Sequence, residues 1–175
     1  MSFKERISKG DLAQQEWVDY FRSKHLAVSK VGYENSPNIN NFKDTIIKLE
    51  DPTSLLIRHY PDLAISIKQS FYMDIKAGET IEKNSYNSLL FLSQKSNVYI
   101  GFPNLKYINI KKLNLYLKPR PLIIKDGWYE PRLLSPEEYQ KWKGKTGGSG
   151  TPFKDIDISN LKQIKDRDER LDTTT

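Results

Sequence analysis

Apolar positions alternate with polar ones in two short adjacent runs. Leu63, Ile65 and Ile67 alternate with Ala64 and Ser66; Phe71, Met73 and Ile75 alternate with Tyr72, Asp74 and Lys76. Lys68, Gln69 and Ser70 separate the runs, and the pattern predicts an antiparallel hairpin. Successive strand side chains point to opposite faces, so Asp74 and Lys76 share one face. With the turn near Gln69, Asp62 lies across from the Asp74–Lys76 stretch. Upstream the spacing is helical. Asp11 followed by Gln14 makes a capping pair, and Ala13, Trp17, Tyr20 and Phe21 form the apolar stripe of a helix over 11–25. Residues 26–33 read as a first strand, 34–41 as a loop, 42–49 as a short helix, and Asp51-Pro52 as a turn leading into the hairpin. After Lys76 a helix is expected over about 80–96, with Ile81, Tyr86, Leu89 and Leu90 apolar, and then a strand over 98–102.

Beyond Phe102 the pattern weakens. Residues 107–117 are β-prone, and a second hairpin is expected around Asp126-Gly127. Ser135-Pro136-Glu137-Glu138 is a helix start, with serine as cap, proline at the first helical position and glutamate at the third. Residues 143–151 read as a basic Gly/Ser linker, and 151–161 as a short docking strand through Phe153, Ile156 and Ile158. A domain over 1–145 followed by a linker and partly flexible tail over 146–175 is the expected organisation. Gly144-Lys145-Thr146 is not a phosphate-binding Walker loop, because that loop needs a glycine where Tyr139 stands.

Composition changes this picture little. The net charge is +6, with 23 Lys and Arg against 16 Asp and Glu in residues 1–150, and 5 against 6 in the last 25. A basic body favours approach to a polyanion such as nucleic acid. The absence of cysteine excludes disulfides and thiolate metal sites. No apolar run approaches a membrane span and the first residues lack a signal-peptide core, so no membrane partner and a cytoplasmic location are expected.

The chemistry gathers on the hairpin. Two carboxylates held close together repel unless a cation sits between them. Mg²⁺ is commonly held by one or two carboxylates with waters and substrate phosphates. An ammonium beside such an ion can orient a water or stabilise charge on a phosphate. Glu16 lies at the border of the first helix's apolar face, where a carboxylate needs a partner.

Pro61-Asp62, followed by Asp74-Ile75-Lys76, resembles the motif of the PD-(D/E)XK nuclease superfamily over roughly residues 5–102. The expected element order of helix, three strands, helix and strand is similar to that superfamily's core. The resemblance implies an α/β (α+β) restriction-endonuclease-like fold, with a mixed central sheet flanked by helices in αβββαβ order. It implies Mg²⁺- or Mn²⁺-dependent hydrolysis of DNA, guided by structure or backbone, with RNA left open as a substrate. Asp62, Asp74, the carbonyl of Ile75 and Glu16 would hold the metal, and Lys76 would be the catalytic lysine. Arg58, His59, Lys83 and Tyr86 would touch substrate. Compact members include junction resolvases, restriction-type enzymes and phage-encoded nucleases, and many are homodimers. The competing expectations are a non-catalytic nucleic-acid-binding protein on the same fold, and an interaction protein whose hairpin charges are incidental.

Overall fold

A computed structural model describes residues 3–32, 51–66, 70–118, 124–146 and 150–164. It is a mixed α/β protein of helices packed on two sheets. Helix α1 (Phe3–Ser23) starts a full two turns before the Asp11 cap pair. Gly10 lies inside it with open space around its Cα, where glycine costs about 1 kcal/mol relative to alanine. The helix ends in a Schellman motif. Leu26 and His25 donate to the carbonyls of Phe21 and Arg22 at 3.1 and 2.9 Å, with His25 in the left-handed region at φ 58°. His25 is therefore the residue that turns the chain into β1 (Ala27–Lys30).

The expected loop and helix over 34–49 lie outside the described residues. Asp51-Pro52, expected as a turn, instead starts helix α2 (Pro52–Arg58). The Asp51 carboxylate accepts from the amides of Thr53 and Ser54 at 3.0 Å, and Pro52 takes the first helical position. The hairpin follows as β2 (Leu63–Ser66) and β3 (Ser70–Ile75), paired Leu63 with Met73 and Ile65 with Phe71. Thr80 does not open a helix: β4 (Thr80–Glu82) comes first, and helix α3 (Lys83–Leu92) after it. Then β5 (Asn97–Phe102) runs parallel to β3, with α3 as the crossover.

Residues 106–117 split into β6 (Lys106–Asn109) and a 3-10 segment (Ile110–Tyr116), not one long strand. Asn109 accepts from the amide of Lys111 at 2.9 Å and turns the chain there. The first sheet thus has the order β1-β2-β3-β5-β6-β11, ending with β11 (Lys162–Gln163). A second sheet surrounds β10 (Phe153–Ile156), which pairs with β4, with β7 (Leu117–Lys118) and with β9 (Trp128–Tyr129). β8 (Ile124–Lys125) joins β9 through Asp126 and Gly127 at φ 54° and 77°, the expected tight hairpin turn. Residues 150–164 are therefore woven into both sheets, and the separation at residue 145 is not a structural boundary. Helix α4 (Pro136–Thr146) begins with the expected capping box, in which Ser135 and Glu138 bond reciprocally.

Two cores lie on the two faces of the first sheet. On one, Trp17, Val18 and Phe21 of α1 meet Leu63, Ile65, Phe71, Met73, Tyr99 and Tyr107. On the other, Tyr86 and Leu89 of α3 meet Val98, Ile100, Phe102, Ile156 and Trp128. Gly101 lets α1 approach the sheet. A Cβ there would lie 2.8 Å from each of Ile75 Cδ1, Met73 Sδ and Trp17 Nε1, and the Trp17 indole uses this closeness to donate to the Phe102 carbonyl at 2.9 Å. Among the described residues no helix is long and apolar enough to cross a membrane.

Candidate functional site

The β2–β3 ladder ends at Leu63–Met73, and its register continued by one position puts Asp62 level with Asp74. The Asp62 carboxylate accepts from the Ile75 amide at 2.6 Å, in the place where the ladder would have continued. In an extended strand the carbonyl of Ile75 faces the same edge as its amide. Phe71 and Met73 are buried against α1, so by alternation Tyr72 and Asp74 belong to the α3 face. Asp74 is 5% exposed beside Ile100, its partner on β5. A carboxylate so placed requires a counter-charge. Lys76 supplies it, with Nζ 2.9 Å from Asp74 Oδ2 and a side chain that is 25% exposed. The same ammonium donates to Ser85 Oγ at 3.3 Å, and Ser85 is buried in the first turn of α3. The Lys76 amide donates to the Gly101 carbonyl at 2.9 Å and fixes the strand end from which the side chain leaves.

Burial by itself would lower the Lys76 pKa. The charge and hydrogen bond of Asp74, then the charges of Asp62 and Glu82, outweigh it and hold the pKa above its ordinary value. Lys76 is an ammonium at physiological pH. His59 closes helix α2 next to this group. Burial, followed by the charges of Lys76 and Arg58, pushes its pKa down to about 4, against the opposing pull of Asp74. Its imidazole is neutral at physiological pH. Tyr60 stands edge to face with Tyr72, ring centroids 5.6 Å apart. Burial and the Tyr72 hydroxyl push the Tyr60 phenol up to about 12.

The structure thus brings Asp62, Asp74, Ile75, Lys76 and His59 together, with half-buried Arg58 next to His59. Two expected site residues stand elsewhere, and a third is fixed only through its backbone. Glu16 accepts from the Asn104 amide at 3.0 Å and holds the turn after β5, where Asn104 and Leu105 take φ of 60° and 52°. It is at the same end of the sheet but on the α1 face, opposite Asp74. Tyr86 is a core residue: it is 9% exposed, its ring lies 5.5 Å from Trp128, and its hydroxyl donates to Asn114 at 3.1 Å. Lys83 is half-buried at the start of α3, its amide bound to the Pro152 carbonyl at 2.8 Å. Sequence reasoning missed the place of Glu82 in this group. Its signal would have been β4, and β4 exists only because distant β10 pairs with it.

Among the described residues no group of three His, Asp or Glu side chains is placed to hold a metal ion. The donors near β3 are two carboxylates and the Ile75 carbonyl, a set that suits Mg²⁺, whose other positions are filled by water and phosphate. Two clefts of about 350 and 360 Å³ lie away from this group. One is polar, around Ser70, Lys95, Asn97 and Lys111; the other is apolar, between Leu55 and Leu56 of α2 and Phe91 of α3. The chain matches no protein-family model, no curated protein and no solved structure.

Proposed function

We propose that this chain is a metal-dependent nuclease that hydrolyses phosphodiester bonds in DNA, on a restriction-endonuclease-like fold of the PD-(D/E)XK superfamily. One observation carries the reading. The Asp62 carboxylate binds the Ile75 amide at the open end of the hairpin, and Asp74, next to Ile75, is paired with Lys76. The element order supports it: α1, then β1, β2 and β3 with α2 inserted after β1, then β4, the crossover helix α3, and β5 parallel to β3.

Asp62, Asp74 and the Ile75 carbonyl would hold the divalent cation. When bound, it supplies a more acidic water and charge against the phosphate. Asp62 already spends one oxygen on the Ile75 amide, which fixes its orientation. Lys76, kept protonated by its three acidic neighbours, serves as a cation for the phosphate and not as a base. It is also the partly exposed member of the pair, so it is the atom a phosphate meets first. His59, being neutral, adds no charge there.

A binding module without turnover is the second reading, favoured by one feature: Lys76 already neutralises Asp74, whose side chain is 7% exposed. Cleavage of linear duplex, single-stranded and four-way-junction DNA with Mg²⁺, Mn²⁺ or chelator separates the two. Metal-dependent cutting that Asp74→Ala abolishes is the expected result. Salt-sensitive binding without cutting in any metal would establish the module instead.

A further inference from the structure

The second sheet carries a row of aromatic rings that the hydrolytic chemistry leaves unused. Directly paired strand residues share a face, so Glu82, Phe153 and Tyr129 form a line across β4, β10 and β9 on the side opposite Ile81 and Trp128, running from exposed Glu82 to buried Tyr129. The Tyr129 and Phe153 rings are 5.0 Å apart. Helix α4 adds two more. Trp142 is stacked on Phe153 at 6.4 Å and 21°, and on Tyr139 at 5.9 Å and 25°. Tyr139, Trp142 and Phe153 are all only half-buried, and α4 has no buried residue at all. A helix held on purely for stability would bury its apolar stripe. This one leaves a column of rings partly open to solvent.

Exposed cations share the helix and its entry loop with these rings. Lys141 and Lys143 flank Trp142 in sequence, Lys145 follows one turn later, and all three are exposed. Exposed Arg132 stands by the Tyr139 hydroxyl: a Cβ added to Gly150, at φ 81°, would come within 2.6 Å of that oxygen and 3.4 Å of Arg132 Nε. Of the two acids in the first turn, Glu138 is committed to Ser135 and Glu137 is exposed. The row also begins near the candidate site: Glu82 directly precedes α3, whose Ser85 accepts from Lys76 Nζ at 3.3 Å, and Phe153 is the strand partner of Glu82, roughly 4.8 Å away.

We infer that Tyr139, Trp142 and Phe153, with Lys141, Lys143, Lys145 and Arg132 at their rim, form a base-stacking platform for single-stranded DNA continuous with the Asp62–Asp74–Lys76 site. The line of the strand into that site rests on the nuclease reading; the stacking does not. Paired bases in a duplex have their faces covered by neighbouring bases, so rings select unpaired strands, while the lysines meet the backbone.

The test is binding of labelled oligo(dT), and of duplex of equal length, in chelator so that no cutting occurs. Tyr139→Ala weakens oligo(dT) binding about tenfold and leaves duplex binding within twofold. Tyr139→Phe, which keeps the ring, binds like wild type and shows that the loss is not a folding defect. Lys141→Glu with Lys143→Glu lowers the salt dependence of oligo(dT) binding. Of the three tryptophans, Trp17 and Trp128 are buried, so oligo(dT) quenches indole fluorescence in wild type and not in Trp142→Phe. Unchanged oligo(dT) binding by Tyr139→Ala, or equal loss for strand and duplex, overturns the platform. Metal-dependent cutting alongside such a result would leave the nuclease reading standing. Stacking without cutting would leave only the platform.

Discussion

On one side of β3, Phe71, Met73 and Ile75 run into α1; on the other, Tyr72, Asp74 and Lys76 turn toward α3. The first face is closed: Phe71 and Met73 are almost fully buried, and Gly101 removes the last side chain that could keep the helix away. The second face begins as core at Tyr72 and ends as a buried ion pair whose cation reaches solvent. A single strand thus serves packing with its odd residues and carries a buried ion pair with its even ones. This works because the two sets share a backbone but no environment. The dry face fixes the strand, and the rigid strand fixes the carboxylate and ammonium at its end.

Substitutions on the two faces should do different damage. The largest effect belongs to the even face. Asp74→Ala or Lys76→Ala lowers the rate of metal-dependent cleavage by about 10²–10³-fold or more, read as single-turnover rates on the preferred DNA. Met73→Ala, on the odd face, lowers unfolding free energy by about 2–5 kcal/mol in denaturant titrations. At temperatures where the variant is folded it leaves the cleavage rate close to wild type. Equal damage to rate and stability from both would erase the distinction between the faces.

A pH experiment sharpens it next. The His59 pKa is about 4 in the folded chain against an ordinary 6.5. Between those values the unfolded chain binds a proton that the folded one does not, so stability rises with pH across that window. The contribution is complete above 6.5 and lost as pH falls through 4, and solvent screening at this half-buried site keeps it to about 1–2 kcal/mol. His59→Gln flattens that part of the pH profile, measured as the difference between wild type and variant in chemical denaturation. The smallest effect belongs to Glu16. Glu16→Gln keeps an acceptor for the Asn104 amide and costs about 1 kcal/mol or less, with cleavage unchanged. A loss of metal-dependent cutting as large as that of Asp74→Ala would place Glu16 at the metal after all.

The hairpin was legible because its information is local. Period-two alternation, a short polar separator and the position of Asp62 before the first run set the register without help from other segments. The capping box at Ser135 and the Asp126-Gly127 turn were legible for the same reason. Asp51-Pro52 shows the limit of such signals. A cap followed by proline fits both a turn and a helix start, and residues 52–58 decided for the helix. Glu16 shows another limit: a carboxylate at the border of a helix's apolar face needs a partner, but the pattern does not say which. The partner was the backbone of a turn 88 residues away.

Local residue order is enough for the alternation of β3, the grouping of Asp62 with Asp74 and Lys76, and the start of the last helix. Each is written within about a dozen adjacent residues. Long-range pairing makes Thr80–Glu82 a strand, puts Tyr86 in the core and brings Trp142 onto Phe153. Those outcomes depend on β10 reaching β4 across some 70 residues of chain. A strand with few residues of its own forms only where a distant partner satisfies its amides and carbonyls, and no local pattern records where that partner will be.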